Sequence, residues 1–113
     1  MIDVIPELRT IFKNNGIELI PEDASDSSEK YPCVTYREIE NTDNKTGDTL
    51  GYSNIAFSFQ IWAYKASEII SLCTKTDNIM KEYKFERYMS GEQVFDGLHR
   101  KILGYRRIVK EKY

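Results

Sequence analysis

The chain is poor in the residues that usually carry chemistry: one His, two Cys and three Pro in 113 residues. Each scarcity removes a class of function. A single histidine, His99, cannot build a His-rich zinc site or the His-x-x-Glu-His helix of a metalloprotease. It sits in LHRKIL among alternating residues and reads as an ordinary strand residue. Cys33 and Cys73 are too few for a disulfide-stapled scaffold and have no metal-ligand spacing. Both are expected to be reduced, structural thiols. Among the six glycines, Gly91, Gly97 and Gly104 are spaced as turns or strand punctuation, not as a phosphate-binding loop. The stretch NTDNKTGDT resembles a calcium loop only loosely, because the closing Glu is absent and turn chemistry explains its Asn, Asp and Gly. No apolar run approaches the roughly 20 residues of a membrane span, and MIDVIPELRT has neither a basic n-region nor an apolar h-region. The expectations are a soluble, cytoplasmic protein with no metal and no cofactor, and a role other than catalysis.

What is present is ordinary globular composition. Hydrophobic residues make up 41% and charged residues 30%, which excludes wholesale disorder. The length suits one domain covering residues 1–113. The net charge of −2 conceals a gradient: 11 acids face 5 bases in residues 1–50, and 7 face 11 in residues 51–113. Such an imbalance points to a nucleic-acid tail or to oppositely charged surfaces that meet a partner.

Periodicity divides the chain into seven elements. Asp3 can cap a first helix, Pro6 suits its first turn, and Gly16 suits its end. Ile5, Leu8, Ile11 and Phe12 share one face of it. A short apolar segment, 17–20, stops at Pro21. The acidic stretch 22–30 reads as a surface loop. CVTYREIE predicts a strand over 33–40. The polar stretch 41–51 predicts a projecting, flexible connection. The strongest signal is YSNIAFSFQIWAY, 52–64, where Ile55, Phe57, Phe59, Ile61 and Ala63 alternate with Asn54, Ala56, Ser58, Gln60 and Trp62. This strand is expected to pair antiparallel with 33–40. Ser67 is the expected cap of a second helix over 67–83, with Ile69, Ile70, Cys73, Asp77, Met80 and Tyr83 at helical spacings and Leu72, Thr76 and Ile79 widening the core stripe. Phe85–Met89 reads as a short strand, Ser90-Gly91-Glu92 as a turn, and Val94-Phe95-Asp96-Gly97 as a turn or the start of a strand. Residues 98–109 carry apolar side chains on both parities, which implies burial on both faces or a bulge near Gly104. The order α-β-β-β-α-β-β predicts an α+β fold, with an antiparallel or mixed sheet and two helices on one side.

The order and spacing of these segments resemble the tail-terminator, or tail-completion, proteins of long-tailed bacteriophages and prophages. The residues that carry the resemblance are Tyr31-Pro32-Cys33-Val34-Thr35-Tyr36, the long strand from Tyr52 to Ala63, the helix directly after it, Phe85-x-Arg87, and Arg100-Lys101-x-Leu103-x-Tyr105. It covers about residues 1–110. It implies a non-catalytic subunit that forms a homo-oligomer, typically a hexameric ring, on the end of the tail tube. The ring would form in the bacterial cytoplasm during virion assembly, alone or only on the tail. It would stop tube growth and remain at the head–tail junction of the virion. The implied partners are further copies of the chain, the major tail tube protein and a head-closure or neck protein, with no membrane and no specific nucleic acid.

A ring needs two different patches on each subunit. The expected candidates are Arg100, Arg106 and Arg107, facing acids of a neighbouring subunit or of the tube, and Lys45 and Asp48 in the 41–51 connection. Three alternatives stand beside this reading. One is another neck protein, a head-closure or adaptor subunit. Another is single-strand nucleic-acid binding by residues 98–113, which hold six bases and one acid with Tyr105 and Tyr113; the overall pI of about 5.5 speaks against it. The third is a small enzyme in which Glu38, Glu40 and His99 meet across the sheet.

Overall fold

A computed structural model describes residues 3–22, 31–44 and 52–110. The elements run α1 (Ile5–Asn14), β1 (Leu19–Pro21), β2 (Cys33–Asn44), β3 (Tyr52–Ala63), α2 (Ala66–Glu82), β4 (Glu86–Phe95) and β5 (Leu98–Lys110). The five strands form one mixed sheet in the order β1-β2-β3-β5-β4. β1 runs parallel to β2, and the other neighbours are antiparallel. The fold is α+β, as the alternation of elements predicts.

β3 is the centre of the sheet, and its alternation sets the core. Ile55, Phe57, Phe59, Ile61 and Ala63 are all buried on the face that the helices cover. Register places Leu103 and Tyr105 of β5 beside Phe59 and Phe57, and Val34 and Tyr36 of β2 beside Ile61 and Phe59. Phe12 of α1 stacks on Phe59 at 5.4 Å, and Tyr105 meets the same ring edge-on at 5.7 Å. Burying each such ring contributes about 1.5–3 kcal/mol.

The helix ends follow local chemistry. Asp3 Oδ1 accepts the Ile5 amide at 3.1 Å, so the expected capping residue serves from just before the N-cap, Val4. Gly16, at φ +79°, ends α1 in a Schellman motif. The Gly16 amide donates to Lys13 and the Ile17 amide to Phe12, so Ile17 packs back on the helix it leaves. α2 ends in the same way: the Lys84 amide donates to Lys81 and the Phe85 amide to Met80. Here a lysine holds the left-handed position, at φ +68°.

The structure differs from the sequence reading at four places. α2 is capped by Lys65, whose carbonyl accepts the Glu68 and Ile69 amides; Ser67 lies inside the first turn. Residues 41–44 continue β2, because they pair with Tyr52–Ile55 and carry the ladder outward past a bulge at Ile39. Ser90-Gly91-Glu92 does not turn. These residues pair with Leu103, Ile102 and Lys101, so β4 is one strand of ten residues. The turn is Asp96-Gly97, one of the two readings open for 94–97, with φ of +49° and +83°, as a type I′ hairpin requires. The bulge anticipated near Gly104 lies opposite it, at Tyr88, where β4 slips against β5.

Candidate interaction surfaces

The helices cover one face of the sheet; the other is here called the open face. On β3 the open face carries Asn54, Ala56, Ser58, Gln60 and Trp62. Ala56, Ser58, Gln60 and neighbouring Thr35 are buried although no helix among the described residues lies over them. Tyr88 lies so close over Gly104 that a Cβ there would meet its ring at 3.0 Å. At the end of the sheet near the start of β4 this face forms a groove of about 770 Å³, with Ala56 on its floor and Ile39, Glu40, Tyr88, Arg106 and Ile108 around it.

The three arginines singled out from the sequence share β5 but not one surface. Strand alternation sends Arg100 and Arg106 to the open face and Arg107 to the helix face. Arg106 is exposed and stands over the Tyr88 ring at 5.7 Å. Arg100 is half-buried, lies over Trp62 at 5.1 Å and donates to Gln93 Oε1 at 3.1 Å. Arg107 is committed to the fold. It donates to the Tyr83 carbonyl at 2.9 Å and covers the rings of Tyr83 and Phe85 at 5.2 and 5.9 Å. A cation at the last carbonyls of α2 is favoured by the helix dipole. Lys45 and Asp48 lie outside the described residues.

The chemistry-bearing residues are scattered. His99 faces Glu92, with Nδ1 at 3.2 Å from Oε1. It pairs with Ala63 at one end of β3's partner ladder, whereas Glu38 pairs with Phe57. Six residues of strand separate the two levels, about 20 Å, so His99, Glu38 and Glu40 do not meet. Cys33 sits on the open face beside Trp62, and Cys73 on α2, so the sheet lies between them. Burial pushes the Cys73 thiol up, which keeps it protonated and a poor nucleophile. Glu38 is also raised, by desolvation first and by the nearby Asp3 charge, with a hydrogen bond from Asn41 opposing. Among the described residues no group of three or more His, Cys, Asp or Glu could hold a metal, and no helix is long and apolar enough to cross a membrane.

Sequence reading passed over the two free edges of the sheet. β4 is exposed along nearly its whole length, with Tyr88, Met89, Val94 and Phe95 open to solvent. β1 covers only Val34–Tyr36 of β2, which leaves the outer edge from Arg37 to Glu40 without a strand beside it among the described residues. The Asp-Gly pair at 96–97, between two strand-like runs, was the available signal for the first edge. Compared with known proteins, the chain matches no family model and no curated protein.

Proposed function

We propose that this protein is a structural subunit of virion assembly, a tail terminator that caps the phage tail tube as a homo-oligomeric ring, ends tube growth and presents the surface that joins the head. The observation that supports this most is the distribution of surface. Among the described residues the sheet has no helix over one face and no strand beside β4 or beside Arg37–Glu40 of β2, with exposed apolar and charged side chains there, while its chemistry-bearing residues stand apart. Such a surface suits contacts with other protein copies better than turnover of a small substrate. The resemblance in segment order supplies the identity of the particle.

The test is direct. Purified protein mixed with isolated tail tubes is expected to bind one tube end, and its presence during tube assembly is expected to limit tube length, both read by negative-stain imaging. Binding to the portal side of filled heads, with tube ends bare, would favour the head-closure or adaptor alternative. A salt-dependent mobility shift with single-stranded oligonucleotides would replace the reading with nucleic-acid binding.

A further inference from the structure

α1 and α2 share one face of the sheet, and together they do not reach its β4 edge. Helices packed side by side lie about 8–10 Å apart and strands about 4.8 Å apart, so each helix covers about two strands. α1 packs on β1 and α2, and α2 packs mainly on β3 and β5. β4 is left over. Register puts Arg87, Ser90, Glu92 and Val94 of β4 on the helix face, level with Tyr105, Leu103, Lys101 and His99 of β5, and all four β4 residues are exposed. The result is a groove of about 470 Å³ between α2 and β4. Ala66, Ile70 and Cys73, at i, i+4 and i+7, form an apolar stripe along its helix wall, with Ile70 65% exposed. Ser90 and Glu92 stand on the strand wall and Lys101 on the floor. The lining follows α2 from Ala66 to Asp77, about 16 Å or three helical turns. The ion pair of Arg87 with Asp77, at 2.8 Å, joins the two walls at one end.

Charge shows what the groove would accept. Arg87 is held by Asp77, and Glu92 is turned to His99 at 3.2 Å. Lys101, directly across the ladder from Glu92, has no hydrogen bond or ion pair among the described residues. It is half-buried, and its charge acts on the Cys73 thiol. An unpaired, half-buried ammonium next to an apolar stripe is complementary to a carboxylate carried among apolar side chains.

We propose that this groove docks an amphipathic helix of another protein, whose apolar stripe packs along Ala66, Ile70 and Cys73 and whose acidic residue pairs with Lys101. The helix takes the next place beside α2 over β4, in the manner of helix-in-groove recognition. The occupant is not a second copy, because both helices of this chain keep their apolar faces in its own core. The backbone edge of β4 takes no part. The contact goes beyond the tail-terminator reading and stands independently of it.

A pair of designed peptides tests the contact. One is a helix of roughly 18 residues, long enough to be helical in water, with a leucine stripe at helical spacing and one glutamate at its centre. The other has lysine in place of that glutamate. Fluorescence anisotropy is expected to show saturable binding of the glutamate peptide to the wild-type chain, and binding about tenfold weaker for the lysine peptide. Lys101→Glu is expected to reverse that preference. Ile70→Asp is expected to weaken the glutamate peptide about tenfold. Circular dichroism and thermal unfolding establish that each variant is folded. Ile70 is exposed, so its variant keeps the test decisive should Lys101→Glu fail to fold. Amide NMR shifts are expected to move at Ile70, Cys73 and Glu92 on binding. No saturable binding up to about 1 mM peptide, equal affinity for the two peptides, or binding unchanged by Ile70→Asp would each overturn the proposal. So would a bound peptide that is extended and slows exchange of the β4 amides, which would mean strand addition instead. Tube-end binding is measured separately, and its failure would leave this contact standing.

Discussion

Tyr105 shows how a single side chain can serve both core and polar network. Its ring is buried against Phe59, and its hydroxyl donates to Asp77 Oδ1 at 2.5 Å. The other Asp77 oxygen accepts from Arg87 at 2.8 Å, so β5, α2 and β4 are tied through one carboxylate. Burial first, and then the Asp77 hydrogen bond and charge, push the Tyr105 hydroxyl well above its ordinary value of 10.0. Tyr105→Phe is expected to cost about 1.5–3 kcal/mol at neutral pH in chemical denaturation, the loss of a hydrogen bond to a charged group. The sign with pH follows from linkage. The folded tyrosine keeps its proton where the unfolded one loses it, so its contribution is complete below the unfolded value and shrinks above it. The stability gap between wild type and Tyr105→Phe is therefore expected to narrow as pH rises past about 10. Arg107 carries the same lesson for function. Its neighbours in sequence gave it the character of an interface residue, but contacts with Tyr83 and Phe85 make it part of the fold.

Elements were legible where local chemistry and periodicity agreed. α1 had both an apolar face and its end signals, and β3 had unbroken alternation. α2 had the periodicity without the cap. Lys65 occupies the N-cap with the extended backbone that capping requires, φ −107° and ψ 132°, but offers no side-chain acceptor and places a cation at the positive end of the helix. Lys65→Asp is expected to raise stability by about 1 kcal/mol, read as a shift of the denaturation midpoint at unchanged slope. β4 was misread because Ser90-Gly91-Glu92 has turn composition. Composition lost to tertiary pairing: β3, α2 and β4 form a crossover between two strands of the same direction, leaving a place one strand wide. The Asp96-Gly97 hairpin folds β5 back into that place, and the β5 ladder then holds all of β4 extended.

At the scale of the molecule, the sheet has one covered face and one open face, and this divides the apolar residues of β5. Leu103 is 1% exposed under the helices, while Ile108 is 65% exposed on the open face. Leu103→Ala is expected to cost about 2–5 kcal/mol, the loss of buried side chain plus the cavity left behind. Ile108→Ala is expected to change the stability of the single chain by less than about 0.5 kcal/mol. Denaturant titration of the two variants would check the contrast; an equal loss in both would mean that the open face is part of the core. On the same ground, truncation of the exposed Ile39 at the groove is expected to cost the single chain far less than Leu103→Ala.

The sequence by itself determined the α+β class, the order of the seven elements, the buried face of β3 and the close of α1. Each of these depends on spacing within one segment, which a side-chain period of two or 3.6 records directly. It could not say which face of β5 would be covered, or which strands would be left at the edges. Those depend on β5 entering between β3 and β4 and on both helices packing against a single face. Only tertiary structure decided them. It sent Arg106 outward and Arg107 inward, exposed β4, and left one face of the sheet without a helix over it among the described residues.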